Sequence, residues 1–180
     1  MNKLLLLSVI LSLGMCGCGG TSGATTDLNT VILTVTPSSF TRLEADVLTG
    51  NSCPLVDGTY TTETIPITVT STPYPNAVDK SPVTISSIAI SYSKYEDAPS
   101  IPPVQYDTGL VINPGALKTF DVNVATDKLK FDLVDKYGLN LCSSDYWEYY
   151  VTITFNGVED HTGKSFSFST VVKVAFADRS

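Results

Sequence analysis

Residues 146–155 read YWEYYVTITF and decide the fold, because large apolar side chains recur at every second position. One parity holds Trp147, Tyr149, Val151, Ile153 and Phe155, and the opposite parity holds Glu148, Tyr150, Thr152 and Thr154. A period of two is typical of a β-strand with one buried face. The pattern returns near the end of the chain, where one parity holds Phe166, Phe168, Val172, Val174 and Phe176. The connection between the two segments begins with Asn156-Gly157 and contains Gly163, which predicts a hairpin.

Most of the chain upstream shows the same period. Pro66 lacks an amide donor, so its strand is predicted to lie at a sheet edge or to carry a bulge. A change of parity at Ser86–Ser87 predicts a β-bulge. Residues 96–104 (EDAPSIPPV) predict a loop, and Asn113-Pro114-Gly115 predicts a turn between two strands. The predicted strands cover Thr30–Thr36, Thr41–Leu48, Thr64–Thr72, Val83–Tyr95, Leu110–Ile112 and Leu117–Ala125.

One short helix is predicted at Thr126–Gly138. Thr126 suits the N-cap, Asp127 the first turn and Gly138 the stop. Leu129, Leu133, Val134 and Tyr137 would share one face of this helix, although the run KLKFDL also alternates like a strand. About eight short strands, one small helix and turns rich in Pro and Gly predict an all-β protein, an antiparallel two-sheet sandwich.

The N-terminus predicts export. Residues 1–18 read MNKLLLLSVILSLGMCGC, in which Lys3 precedes an apolar run of ten residues, Leu4–Leu13. A membrane span needs about 20 such residues, so the run fits a signal peptide. Small residues ending in cysteine resemble the signal of bacterial lipoproteins, which implies lipid attachment. Cys18 follows the small residue Gly17 and is favoured over Cys16, which follows the bulkier Met15.

The resemblance to lipoproteins implies three segments: a signal peptide at residues 1–17, a lipidated Cys18 with a flexible tether to residue 29, and a β-sandwich at residues 30–180. Residues 19–29 (GGTSGATTDLN) have the composition of a flexible coil. Gly19, rather than Asp, follows Cys18, and in such lipoproteins this favours the outer membrane. The expected location is therefore the cell envelope, with the membrane bound through the lipid anchor.

The remaining cysteines predict a disulfide. Cleavage before Cys18 leaves Cys53 and Cys142 as an even pair in an oxidising compartment, so we expect them to be bridged. A late cysteine that follows a small helix and precedes an aromatic strand loosely resembles immunoglobulin-like domains. The departures are that Cys53 lies in a loop-like GNSCP stretch and that Trp147 follows Cys142 instead of preceding it. The resemblance therefore implies only the general architecture.

Composition argues against several classes of function. The net charge of −7 and the scattered basic residues disfavour nucleic-acid binding. Gly157–Ser165 (GVEDHTGKS) has five residues between its glycines instead of the four of a phosphate-binding loop, and a strand follows it instead of a helix. His161 is the single histidine and is expected in a solvated tip. We therefore expect neither catalytic residues, cofactor nor metal, and the protein is not expected to be an enzyme.

The remaining candidates are aromatic. Tyr146 and Tyr150 should point outward on either side of Glu148, where exposed rings can bind a protein partner or a sugar. Tyr92, Tyr95 and Tyr106, near the Pro-rich loop, could add to that surface. The leading hypothesis is a structural or protein-interaction role in an envelope assembly. A carbohydrate-binding module is the alternative, and a hydrolase with unmarked carboxylates is a weaker one.

Overall fold

A computed structural model describes residues 23–37, 42–50 and 57–178. These described residues form nine strands and one helix. Their bounds are β1 (Ala24–Asp27), β2 (Val31–Pro37), β3 (Leu43–Asp46), β4 (Glu63–Pro73), β5 (Val83–Lys94), β6 (Val104–Ile112), β7 (Leu117–Ala125), α1 (Asp127–Asp135), β8 (Tyr146–Glu159) and β9 (Lys164–Ala177).

The strands form two sheets, a four-stranded sheet of order β1-β2-β4-β7 and a five-stranded sheet of order β3-β9-β8-β5-β6. Every pairing is antiparallel except that of β3 with β9, which is parallel. The predicted two-sheet sandwich with one short helix is therefore confirmed. The predicted strands are present with shifted ends, and Leu110–Ile112 is the last part of the longer β6.

The apolar faces of the two sheets meet in a single core. Alternation along each strand buries side chains such as Val35 and Ile67 in the four-stranded sheet and Ile153 in the five-stranded sheet. Aromatic rings join the sheets directly, since Phe120 of β7 meets Phe155 of β8 edge-on with ring centroids 6.0 Å apart. Trp147 packs against the same core from the beginning of β8.

The predicted bulge in β5 is confirmed, because the register with both neighbouring strands shifts between Ile85 and Ser87. The prediction that the hairpin connection begins at Asn156-Gly157 is wrong. Both residues lie inside β8, and the chain turns at residues 160–163, where Gly163 has a φ of 67°. Gly157 serves a different purpose, since a Cβ there would lie 2.2 Å from the backbone oxygen of Thr84.

Pro66 does not mark an edge strand, because β4 lies between β2 and β7. The irregularity in this strand falls between Glu63 and Thr64, in its register with β7. Among the described residues, the pairing with β2 ends where Pro37 meets Ile67. Pro66 lies just beyond that point, so its missing amide costs no hydrogen bond to β2.

Helix α1 begins and ends as predicted. Thr126 is the N-cap, and its hydroxyl accepts the amide of Leu129 at 3.2 Å. Gly138 has a φ of 76°, and its amide donates to the carbonyl of Val134 at 3.1 Å, which closes the last turn. Leu133 is buried as expected, whereas Tyr137 is exposed and Lys130 is fully buried. The predicted apolar face is therefore correct at Leu133, whereas Tyr137 does not belong to the buried face and Lys130 does.

The chain joins the sandwich earlier than predicted. Ala24–Asp27 pairs with β2, and Leu28 is buried, although residues 18–29 were expected to form a flexible tether. The β-branched Thr25 and Thr26 suit a short edge strand, which a reading of polar composition does not reveal. Cys16 and Cys18, with the predicted signal peptide, lie outside the described residues, as does Cys53. Within the described ranges, no helix has the length and apolar character needed to cross a membrane.

Candidate functional site

Alternation along β8 places Tyr146, Glu148 and Tyr150 on the outer face of the five-stranded sheet. Tyr146 is 56% exposed and Tyr150 is 37% exposed, while the intervening Tyr149 is fully buried. The predicted orientation of both outward tyrosines is therefore confirmed. The Tyr149 hydroxyl donates to the carbonyl of Pro99 at 2.9 Å, so the inward ring is also satisfied.

Glu148 lies between the two tyrosines and is only 8% exposed, although it belongs to the outer face. Two cations cover it. Lys173 Nζ lies 2.7 Å from one carboxylate oxygen, and Arg42 donates to the other at 3.1 Å. Arg42 also pairs with Glu44. A carboxylate that accepts charge-assisted bonds from two sides is held in one orientation.

The same two cations lie against the tyrosine rings. Arg42 Cζ is 5.5 Å from the ring centroid of Tyr146. Lys173 Nζ is 5.2 Å from that of Tyr150 and 6.0 Å from that of Tyr95. Each contact is a cation–π interaction, in which the ring quadrupole attracts the positive charge. We call these six residues the tyrosine surface: Arg42, Tyr95, Glu148, Tyr146, Tyr150 and Lys173.

This surface combines four parts of the chain, and strand register joins three of them. Lys173 of β9 lies opposite Tyr150 of β8, so its side chain can reach Glu148 on the same strand. On the other side, the amide of Tyr95 donates to the carbonyl of Glu148 at 3.0 Å. This bond brings the Tyr95 ring edge-on to Tyr150, with centroids 6.4 Å apart. The surface is therefore fixed by backbone pairing as well as by side chains.

Of the three further tyrosines suggested by the sequence, only Tyr95 joins this surface. Tyr92 and Tyr106 pack against the core. The Tyr92 hydroxyl donates to the carbonyl of Val124 in the opposite sheet at 2.9 Å, and burial raises the pKa of this phenol to about 12. Tyr92 therefore joins the two sheets and is not available to a partner.

A cleft of about 320 Å³ opens beside the tyrosine surface. Its walls come from the turn after β5 and from the segment that leads into β8. Three of its lining residues are aromatic: Tyr95, Tyr146 and Trp147. The remaining lining residues are Glu96, Asp97, Ala98, Ser144, Asp145 and Glu148. Sequence patterns could not reveal this cleft, because its two walls are about fifty residues apart in the chain and meet only through the β5–β8 pairing.

His161 lies exposed in the β8–β9 turn, as predicted, and its backbone amide donates to Ser81 Oγ at 2.9 Å. The adjacent Glu159 is buried and accepts bonds from the backbone of Asn29 and Thr30 and from the Thr162 hydroxyl. Burial alone would raise the pKa of Glu159, but these bonds lower it below its ordinary value. In the part of the chain that the structure describes, no group of three His, Cys, Asp or Glu side chains could hold a metal ion.

The tyrosine surface should respond to acid. The hydrogen bond from Lys173 lowers the pKa of Glu148; burial opposes this shift, and Arg42 adds to it. A carboxylate with a lowered pKa stabilises the fold above its ordinary value of 4.5, and this contribution is lost as the pH falls through its lowered pKa. We expect Glu148→Gln to cost about 2 kcal/mol at pH 7, because charge-assisted bonds are lost.

Urea denaturation at pH 7 and pH 3 measures this effect. Wild-type protein should lose more stability on acidification than Glu148→Gln, because only the wild-type protein protonates a carboxylate at position 148. Both proteins retain Glu159, so its contribution to acid sensitivity is the same in the two. An equal loss in the two proteins would show that Glu148 does not contribute to the pH dependence.

No known family model matches this sequence, and a search of curated proteins likewise gives no match. Its function must therefore be inferred from its own residues.

Proposed function

We propose that this protein is a lipid-anchored component of the cell envelope whose β-sandwich binds a protein partner without catalysis. The observation that carries the proposal is the tyrosine surface, in which three exposed rings are held in place by two cations and one nearly buried carboxylate. Tyr and Arg are enriched in the energetically dominant positions of protein interfaces. A preorganised set of such side chains loses little conformational entropy when a partner covers it.

The anchor is proposed from the sequence. Lys3, the apolar run Leu4–Leu13 and the Gly17-Cys18 pair support export and lipid attachment at Cys18. Gly19 supports sorting to the outer membrane, as expected from the resemblance to bacterial lipoproteins. Intact mass of the membrane-extracted protein tests this part, because a chain beginning at Cys18 should carry the added mass of acyl chains.

We also propose the bridge between Cys53 and Cys142. Cys142 lies between α1 and β8. Its pairing with Cys53, which lies outside the described residues, stays a prediction. Peptide mapping without reductant should recover the two cysteines in one linked fragment, and recovery of a linked pair containing a different cysteine would contradict it.

The double variant Tyr146→Ala plus Tyr150→Ala tests the interaction role. We expect the tagged protein, extracted in gentle detergent, to lose its co-purifying envelope partner at least tenfold, because truncation of interface tyrosines removes hot-spot contacts. Quantitative mass spectrometry of the eluate measures the loss. The melting temperature should stay within a few degrees of wild type, since both rings are solvent-exposed.

A matched control is Val111→Ala plus Leu117→Ala, which truncates two exposed apolar side chains near the β6–β7 turn, at the other end of the sandwich. This variant should keep the partner at its wild-type ratio to the bait. Capture of the same partner at the same ratio by the tyrosine variant would exclude the tyrosine surface as the binding site.

A glycan ligand is the second candidate. The half-exposed ring of Tyr146, beside the polar walls of the cleft, favours it, because sugars stack on exposed aromatic rings and bond to nearby carboxylates. The test is retention of the wild-type protein on envelope polysaccharide. Retention that the tyrosine variant abolishes, and that is not seen when the polysaccharide is replaced by envelope proteins, would favour a glycan over a protein partner.

A further inference from the structure

The cleft beside the tyrosine surface is lined by four acidic residues, Glu96, Asp97, Asp145 and Glu148. Among the described residues, no ion pair joins Glu96, Asp97 or Asp145 to a basic side chain. The two nearby cations, Arg42 and Lys173, are both bound to Glu148. Within residues 23–37, 42–50 and 57–178, the cleft therefore presents three carboxylates without a partner cation.

Aromatic residues also line the cleft. Tyr95, Tyr146 and Trp147 line the cleft together with the three carboxylates. Aromatic faces attract a cation through the ring quadrupole, and carboxylates attract it by charge. The Debye length is roughly 10 Å at 0.1 M salt. In a cleft of about 320 Å³, a bound cation lies closer than this to every wall, so salt does not fully screen its attraction to the carboxylates.

From this combination we infer that the cleft receives a basic side chain, lysine or arginine, from the protein that covers the tyrosine surface. Tyr95, Tyr146 and Glu148 belong to both features, so a partner seated on the surface also contacts residues that line the cleft. An anionic lipid headgroup or a phosphate has the wrong charge for these walls. The inference rests on the proposed interaction role and adds the chemistry of the partner.

Trp147 provides a direct readout, because it is the one tryptophan of the chain and it lines the cleft. The full-length mature protein in detergent is titrated with a capped peptide of alternating lysine and glycine at low salt. A peptide of alternating glutamate and glycine is the matched probe. We expect a saturable change in Trp147 fluorescence with the lysine peptide alone, and a midpoint that rises several-fold when salt is increased tenfold.

The variant Glu96→Gln plus Asp97→Asn plus Asp145→Asn removes the three carboxylates. We expect its midpoint to rise at least tenfold. The control Asp79→Asn plus Asp107→Asn plus Asp121→Asn changes the net charge by the same amount at exposed positions on other parts of the surface. Its midpoint should stay within twofold of wild type, and all six carboxylates are exposed, so both variants should fold.

An equal rise in both variants would overturn the inference, because it would show attraction to the overall negative charge. Absence of a saturable Trp147 signal would overturn it as well. If choline binds with the same midpoint as the lysine peptide, the inferred ligand is overturned. The cleft would then be a site for a small organic cation and not for a protein side chain. Each of these results leaves the capture experiment with Tyr146 and Tyr150 untouched, so failure of the inference and failure of the proposed function are separable.

Discussion

Replacing Gly157 with alanine is expected to lower the free energy of unfolding by about 3 kcal/mol. An alanine Cβ would lie 2.2 Å from Thr84 O, 2.6 Å from Phe166 Cζ and 3.0 Å from Ile85 Cα. Two of these atoms belong to the backbone of β5 at its bulge, so a rotamer change cannot relieve the clash. In a domain of this size, the loss corresponds to a fall in melting temperature of roughly 6–12 °C.

Gly109→Ala is the matched control. Gly109 also lies inside a strand, β6, but a Cβ at this position meets nothing within 4 Å. Its substitution should leave stability unchanged or raise it by up to about 1 kcal/mol, since alanine restricts the unfolded chain. Urea denaturation measures the free energy of unfolding of both variants. Similar stabilities for the two variants would show that the close approach of β5 and β8 is not what requires glycine at 157.

The second large effect is expected at Lys130. Its fully buried ammonium donates to the carbonyl of Asp46 at 2.6 Å and pairs with Glu63 Oε1 at 2.7 Å, which joins α1 to both sheets. Glu63→Ala leaves this buried charge without its counter-ion and should cost about 3 kcal/mol. Lys130→Met keeps an apolar chain of similar length and removes the charge, so its cost should be about half as large.

Lys128→Met on the same helix is the control, because Lys128 makes an exposed pair with Asp132 and should change stability by less than about 0.5 kcal/mol. Denaturation curves at pH 7 measure all three variants. A larger loss for Lys130→Met than for Glu63→Ala would show that packing of the lysine chain, and not the unpaired charge, dominates this site.

Local patterns predicted those features that depend on neighbours in the chain. The parity of residues 146–155 correctly placed Tyr146 and Tyr150 on the outside, and Thr126 and Gly138 correctly bounded the helix. The change of parity at Ser86–Ser87 located the bulge, because an extra residue in one strand changes which side chains face the core.

Features that depend on distant partners could not be predicted in this way. Asn156-Gly157 has the composition of a turn, but Gly157 is required by the backbone of β5, which lies seventy residues earlier. The buried Lys130 pairs with Glu63, which lies 67 residues earlier in the chain. Tyr95 contacts Tyr150 only because the β5–β8 register places the backbone of Tyr95 beside that of Glu148.

The same limit applies to the candidate site as a whole. The two outward tyrosines of β8 could be named from the sequence. Their cations could not, since Arg42 lies just before β3 and Lys173 within β9, and neither is close to Tyr146 in the chain. The carboxylates of Glu96, Asp97 and Asp145 come from two loops that meet only in the tertiary structure.

The early start of β1 limits how far a lipid-anchored copy could search for its partner. Only five residues separate Cys18 from Ala24, and a fully extended chain of that length reaches about 20 Å. The fourteen residues of β8 add roughly 45 Å between its two ends. A copy anchored at Cys18 would therefore keep its tyrosine surface within about 65 Å of the lipid headgroups. Encounters would take place in a thin layer above the bilayer, where confinement raises the effective concentration of any partner held in the same membrane.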